Sequence, residues 1–443
     1  MIVMKFGGSS LDGAQKVLGA IEIVRSSLDK NPVLVVSAHG KTTDNLIKCA
    51  RLAREGEIAP DEVVDYHYRL ADELGVERKL IEPLLFRLEA VLHGIGLLGE
   101  LTARTLDTVM SFGERLSSRI VAAALSGRGI SAVPVNAYDV GFLTDSHHGN
   151  ARPLLADIER EMPRGLARYS QVPVITGFIG KDAKEEITTI GRSGSDYTAS
   201  IVGAVLGARE IQIWTDVDGI MTADPGIEPA AQNVPEMSFD EASELAYYGA
   251  EVLHPSTLVP AIRANIPVRV ANTFRPRQAG TVIMPGSKLT TRPAKSVVYK
   301  ENVCLVNLFS PRLLSVASLM SRALEVLARH RVRIHMAVTS EATVSLVTDR
   351  AYGDDELGPP LSELEAAARV SLERDRAIVC VVGEEMRGNP TILGEIFCVL
   401  GREGIKCRMV SQSASELNIA FLVENPQIAK AVRALHKIVV GNG

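Results

Sequence analysis

Met1-Ile2-Val3-Met4-Lys5-Phe6-Gly7-Gly8-Ser9-Ser10 is the stretch that decides the fold. Ile2 to Phe6 is a short apolar run of strand length, two glycines follow at once, and an amphipathic helical stretch occupies Gly13 to Lys30. Strand, glycine turn and helix in that order open an α/β sheet. Glycines here let backbone N–H groups face an anion, and the next helix N-terminus adds partial positive charge. Lys5, on the strand just before the turn, can reach bridging and terminal phosphate oxygens, although an ordinary surface lysine fits the same local pattern. The arrangement is not a Walker A loop, because its glycines, lysine and Ser/Thr are spaced differently.

Outward from this turn the alternation continues. Further strands are read at Val33 to Ser37, Ala132 to Asn136, Val172 to Gly177, Glu210 to Thr215 and Val268 to Val270. Helices are read at Asn45 to Glu55, Gly113 to Ser126 and Asp196 to Leu206. The run Pro32-Val33-Leu34-Val35-Val36 is apolar throughout, which implies a central, largely parallel sheet buried on both faces. Residues 57 to 110 read as mostly helical and polar, an excursion carrying no recognisable chemistry.

Three other strand ends are polar, small-residue turns. Ser37 to Asp44 follows a buried strand and opens a helix. Thr189-Ile190-Gly191-Arg192-Ser193-Gly194-Ser195-Asp196 carries a fixed cation and a carboxylate, and its guanidinium suits bidentate capture of a substrate carboxylate. Thr215-Asp216-Val217-Asp218-Gly219-Ile220 ends another apolar strand, where parallel sheets form their ligand crevices.

Composition narrows the function. The hydrophobic fraction is 46%, the charged fraction 23% and the formal net charge −5, ordinary for a globular protein and without a basic surface for nucleic acid or anionic membrane. Apolar runs are too short to span a bilayer, and the N-terminus has no signal-peptide pattern, so a cytoplasmic protein is expected. Five cysteines without metal-ligand spacing argue against a disulfide framework or zinc. His147-His148 lacks a carboxylate at useful sequence spacing and is read as a polar loop; no metal ligands are assigned.

Proline, glycine and charge crowd together over residues 275 to 295, and a boundary is placed near residue 293. Beyond it the chain repeats. One unit has strand Val303 to Phe309, helix Leu313 to His330, strands Val332 to Val338 and Thr343 to Thr348, and a helix near Leu361 to Arg369. The next has strand Ala377 to Val382, helix Thr391 to Glu403, strands Ile405 to Ser411 and Leu417 to Val423, and a helix from Gln427. Two βαββαβ units of ferredoxin-like fold follow from that pattern.

In order, Lys5 to Ser10, Ser37 to Leu46, Ser111-Phe112-Gly113-Glu114-Arg115, Gly177 to Gly180, Gly191 to Ala199, Thr215 to Pro225 and Gly249 to Pro255 resemble the motifs of the aspartate kinases, within the amino-acid kinase fold. The tail is similar to the paired ACT domains of that family. The resemblance spans essentially the whole chain. It implies a catalytic domain at 1–293 with a three-layer, largely parallel sheet, then ACT domains at 294–372 and 373–443. It also implies transfer of the ATP γ-phosphate to the side-chain carboxylate of L-aspartate, with Mg²⁺, as a first step toward aspartate-derived amino acids such as lysine.

By the same likeness, Lys5 neutralises charge on the transferring group and Asp196 orients Lys5 or the metal ion. Thr43, Glu114, Phe178, Arg192 and Ser195 line the aspartate pocket, with Arg192 on the α-carboxylate and Glu114 on the ammonium. Gly7, Gly8, Ser9, Thr215, Asp216 and Met221 border the nucleotide. Phosphoryl transfer asks for positioning and charge stabilisation, and the aspartate carboxylate is ionised at neutral pH, so no general base is needed. Lys5, read as partly exposed, is expected to add little stability, so Lys5→Ala would remove activity with little effect on folding.

The chain departs from the family in several places. Met221 stands where a tyrosine is common, Gly226 where an arginine is, Glu251 where a lysine is, and Ser193 where a glycine is. These changes reduce positive charge on the nucleotide side and leave a second reading, a catalytically weak ACT scaffold that binds an effector. A kinase of the same fold acting on another acidic amino acid is a third. Relatives inhibited by lysine hold its ammonium with an aspartate where this chain has His335, and Leu313, Ser315 and Ser318 do not match their effector loop. An amino-acid effector at the ACT units and an ACT-mediated homodimer are expected, without simple lysine control.

Overall fold

The computed structural model describes residues 1–249, 255–286, 294–309, 315–349 and 358–441, so Glu251 and Leu313 lie outside the described residues. The chain forms two compact units: Met1–Ile220 with Pro235–Phe239 and Val252–Ser287, and Met221–Val234 with Asp240–Glu251 and Lys288–Gly443. Two segments ahead of residue 293 therefore fold with the tail.

The first unit opens with β1 (Ile2–Phe6), α1 (Ala14–Arg25), β2 (Pro32–Val36) and α2 (Thr42–Arg54), followed by α3 (Asp61–Leu74), α4 (Glu82–Leu98) and α5 (Ala103–Ser126). Next come β3 (Ala132–Val135), α6 (Leu155–Leu166), β4 (Val172–Thr176), the hairpin β5 (Ile179–Lys181) and β6 (Ile187–Thr189), α7 (Gly194–Leu206) and β7 (Ile211–Thr215). Then follow β8 (Glu236–Ser238), α8 (Phe239–Tyr247), α9 (Pro255–Ala264), β9 (Val268–Asn272) and β10 (Thr281–Met284), with α8 in the second unit from Asp240 onward.

Eight strands make one sheet in the order β3-β4-β2-β1-β7-β9-β10-β8. Neighbours from β3 through β9 are parallel, and only the β9–β10 pair is antiparallel. Parallel order puts the carboxyl ends of β4, β2, β1 and β7 on one edge, where three of the four polar turns read from the sequence emerge; the fourth, Thr189 to Asp196, follows β6 of the separate β5–β6 hairpin and leads into α7. Alternate residues Ile2, Met4 and Phe6 enter a core shared with Val24, Leu46, Leu70, Leu88, Phe112 and Leu116. The segment read as an excursion thus supplies α3 and α4 to the main core. Helix α5 begins well before Gly113, because the Thr102 side chain caps it by accepting from the Thr105 N–H at 3.1 Å.

The second unit carries β11 (Ser296–Phe309), α10 (Val316–Arg329), β12 (Ile334–Thr339), β13 (Thr343–Asp349), α11 (Gly358–Glu365), β14 (Arg369–Val382), α12 (Pro390–Arg402), β15 (Met409–Gln412), β16 (Asn418–Glu424) and α13 (Ile428–Val440). Six antiparallel strands form one sheet, β12-β13-β11-β14-β16-β15. The two repeats are interlocked rather than strictly successive. Val303–Phe309 of β11 pairs with Arg369–Arg376, whereas Ser296–Lys300 pairs with Ile378–Val382. One core, with Cys304, Leu319 and Leu346, lies under α10; the other joins Val297 to Val379, Ile396, Phe421 and Leu435. The second repeat thus takes its outer strand from residues preceding the first, a swap the sequence pattern hides because β11 and β14 each serve both.

Cys49, Cys304 and Cys380 are buried and reduced, while Cys398 is exposed. No helix among the described residues is long and apolar enough to cross a membrane.

Candidate active site

Lys5 is buried on central β1, with Val35 and Ile213 as its register partners, and its Nζ lies 2.5 Å from Asp196 Oδ1 in the first turn of α7. This corrects the expectation of a partly exposed lysine. Of the two glycines after it, Gly8 is sterically required and Gly7 is tightly packed. A Cβ on Gly7 would stand 3.3 Å from Lys5 Nζ, and one on Gly8 2.9 Å from the Ala38 carbonyl oxygen. Gly40 N–H donates to the Gly8 carbonyl at 3.0 Å, fixing the Gly7-Gly8 turn against the loop after β2. Exposed Ser9 opens a single 3₁₀ turn, Ser9–Leu11, so α1 starts only after that turn.

Glu114, midway along α5, is 3% exposed. Its Oε1 accepts from the Ala38 N–H at 3.1 Å, and Oε2 has no partner. Burial pushes its carboxyl up to about 8, against the pull of the Ala38 N–H and of Lys5. A buried carboxyl with one unpartnered oxygen suits capture of an ammonium group. Thr43 lies in the first turn of α2, after the Thr42 N–H bond to the His39 carbonyl at 3.0 Å.

Phe178, Arg192 and Ser195 come together where β4 meets α7. Phe178 takes the left-handed conformation, φ 64°, its N–H donating to Thr198 Oγ1 at 3.1 Å and its carbonyl accepting from Ile190 N–H at 3.0 Å. A Cβ on Gly177 would fall 2.6 Å from the Ser195 side chain, so only glycine lets strand and helix approach this closely. Arg192 is exposed on the preceding turn, and among the described residues its guanidinium makes no ion pair or hydrogen bond. Ser193, the departure from glycine, is held at φ 56°.

Thr215 ends β7, and its hydroxyl donates to exposed Asp216 at 3.1 Å. Asn272, which the sequence reading missed, donates to the Asp216 carbonyl at 3.2 Å and to Asp218 Oδ1 at 2.7 Å. Met221 belongs to the second unit, where its carbonyl accepts from the Ser296 hydroxyl at 2.7 Å. Lys5, Gly7, Gly8, Thr43, Thr215 and Asp216 thus sit at or just beyond the carboxyl ends of β1, β2 and β7, with Glu114 joined to them through the Ala38 N–H and Asp196 through Lys5. Phe178 joins the end of β4 to the turn that carries Arg192 and to α7 with Ser195, while Met221 belongs to the second unit.

His148 does have carboxylate neighbours, contrary to the sequence reading. Its ligand atoms and those of Asp182 and Glu186 lie within 4.8 Å of one another. The group closes on itself: Asp182 accepts from Ser146 and from the Lys184 and Glu186 N–H groups, and Glu186 pairs with Arg104. In the second unit, buried His335 hydrogen-bonds Asp349, and the Tyr247 ring packs edge-on to it at 6.0 Å.

A model of the amino acid kinase family matches residues 1–272, and one of the ACT domain matches residues 379–438. Aspartokinase 2, chloroplastic, of Arabidopsis thaliana is 38% identical, with 98% of this chain aligned to 83% of that protein. Lysine-sensitive aspartokinase 3 of Escherichia coli is 33% identical, with 98% of each chain covered. The crystal structure of E. coli aspartokinase III in complex with aspartate and ADP superposes with a TM-score of 0.83 at 30% identity over 100% of both chains. That of Clostridium acetobutylicum aspartate kinase gives 0.85 at 26%, covering 99% and 100%. With this likeness running end to end, the chain belongs to the amino acid kinase family, and within it to the aspartokinases.

Proposed function

We propose that the chain transfers the γ-phosphate of ATP to the side-chain carboxylate of L-aspartate, giving 4-phospho-L-aspartate. The observation that carries this is the convergence of a buried Lys5–Asp196 pair, a two-glycine turn in which Gly8 leaves no space for a side chain, and a buried Glu114 with one oxygen unpartnered among the described residues. In this reading, N–H groups of the Gly7–Ser9 turn and Lys5 bind the phosphates, with Thr215 and Asp216 bordering the nucleotide. Glu114 ionises as it takes the substrate ammonium, Arg192 pairs with the α-carboxylate, and Thr43, Phe178 and Ser195 shape the pocket. Lys5 stabilises negative charge developing on the transferred group. The Asp196 carboxylate, pointing at the phosphate-binding lysine, fits a hard cation: it would hold Mg²⁺, which when bound neutralises phosphate charge. A non-catalytic scaffold is not favoured, since the relatives that match the full chain are aspartokinases.

The remaining elements of the reading are a catalytic stretch within 1–293, ACT units over 294–372 and 373–443, a homodimer formed through them, a cytoplasmic location, and an amino-acid effector. The E. coli enzyme has been crystallised with lysine and aspartate. Here His335 is already engaged with Asp349, which argues for a different effector. The test is aspartate-dependent ADP release, repeated with lysine, with threonine and with both. No turnover at millimolar ATP and Mg²⁺ defeats the assignment.

A further inference from the structure

We infer that Asp107 is a positioning residue for the aspartate pocket: it ties the Thr189–Ser193 turn, and with it Arg192, to the helix that carries Glu114. This rests on the reading of Arg192 and Glu114 as the groups that bind the amino acid. Asp107 lies in the stretch to which the sequence assigns no chemistry, yet it is fully buried near the start of α5.

Its two oxygens gather donors from two separate segments. From β6, Thr189 donates its hydroxyl to Oδ1 at 2.6 Å and its N–H to Oδ2 at 3.2 Å. From the loop before α6, the Gly149 N–H lies 2.9 Å from Oδ2 and 3.1 Å from Oδ1, and His148 Nδ1 lies 3.1 Å from Oδ2. Both segments lead to the same turn. Thr189 runs directly into Ile190-Gly191-Arg192. Asn150, next to Gly149, packs so closely on Gly191 that a Cβ there would fall 2.6 Å from Asn150 Oδ1.

The opposite end of the device is α5 itself. Seven residues beyond Asp107, about 10 Å along the helix axis, Glu114 occupies the pocket. One turn before Asp107, Arg104 grips Glu186 at the foot of β6 at 2.6 Å. Among the described residues the exposed Arg192 guanidinium has no side-chain partner, so its placement is set by its backbone turn. That turn is held by the Phe178 carbonyl on one side and by Asp107 on the other. The buried Asp107 carboxyl accepts from the Thr189 hydroxyl and N–H and from the Gly149 N–H, and replacing one of its oxygens by an amide NH2 sets donor against donor on that side.

The test is a double-mutant cycle on the full chain, read by steady-state kinetics and by thermal unfolding. Asp107→Asn is expected to raise KM for aspartate about tenfold, as a misplacement near the reacting groups would, with KM for ATP unchanged. In an Arg192→Ala background the same change is expected to add less than about twofold, because coupled sites are not additive. Thr189→Val, which removes one bond only, is expected to raise KM for aspartate about threefold and covers the case in which Asp107→Asn fails to fold. Unchanged KM for aspartate in both variants, or equal effects in the two backgrounds, overturns the inference and leaves Asp107 a folding contact. An Arg192→Ala enzyme with unaltered KM for aspartate overturns the pocket reading instead.

Discussion

Lys5 Nζ and Asp196 Oδ1, 2.5 Å apart and both largely shielded from water, join the end of central β1 to the first turn of α7. The pair fixes a long flexible side chain before any phosphate arrives, so less ordering is left for the moment of binding. It also couples catalysis to folding at this position, since neither charge is comfortable without the other.

Lys5→Ala should therefore lower kcat by far more than tenfold and also destabilise the first unit by about 2 kcal/mol, because it strands a mostly buried carboxylate. Adding Asp196→Asn should restore part of the stability and none of the activity. Urea unfolding alongside the ADP assay separates the two effects. A Lys5→Ala protein that keeps more than about a tenth of the rate contradicts the role of Lys5.

Glu114 gives the pH dependence. Its carboxyl is raised by burial to about 8, above the unfolded value of 4.5, so the fold favours the protonated form. Between those values the native state binds more protons than the unfolded one, and this group's contribution to stability falls as pH rises from 4.5 toward 8. Aspartate binding needs the ionised form, so kcat/KM for aspartate should climb through that upper limit. Glu114→Gln should flatten both trends and bind aspartate weakly. A wild-type profile that is level between pH 6 and 8 would tell against this.

His39 and His67 govern the acid side. Each holds its Nδ1 on a backbone carbonyl, Leu11 at 2.8 Å and Val63 at 2.7 Å, and the rings meet edge-on at 6.0 Å. Burial lowers them to about 3 and about 4, with His67 also depressing His39. Below the unfolded value of 6.5 the unfolded chain binds more protons, so stability should fall as pH drops from 6.5 toward 4. His67→Leu should show a shallower loss in denaturant titrations over that range.

Ser193 sits in the left-handed region at φ 56°, where a side chain is strained. Ser193→Gly should stabilise the protein by about 0.5–1 kcal/mol while leaving kcat within twofold. A drop in melting temperature would show that the Ser193 side chain makes a contribution that outweighs the strain.

The sheet was legible because β1, β2 and β7 are short apolar runs with glycine-bearing ends, which carry Lys5, Thr43, Thr215 and Asp216. Less was visible where meaning depends on what a residue meets. Nothing local distinguishes Asp107 from a polar helix residue, since its donors come from Thr189 and Gly149, far along the chain. The burial of Lys5 is likewise a property of its central strand. The hairpin β5–β6 escaped notice because Lys181 to Glu186 reads as a charged loop, and the swapped strand of the tail because Lys300-Glu301-Asn302 interrupts the apolar pattern inside β11, so that the strand reads as starting only at Val303.

The central claim is tested most directly by ADP release from MgATP with and without L-aspartate, for the wild type and for Glu114→Gln. Phosphoryl transfer that requires aspartate in the wild type, with KM for aspartate raised at least about tenfold in Glu114→Gln and KM for ATP unmoved, is the predicted result. Turnover that ignores aspartate, or a Glu114→Gln enzyme indistinguishable from wild type, would contradict it.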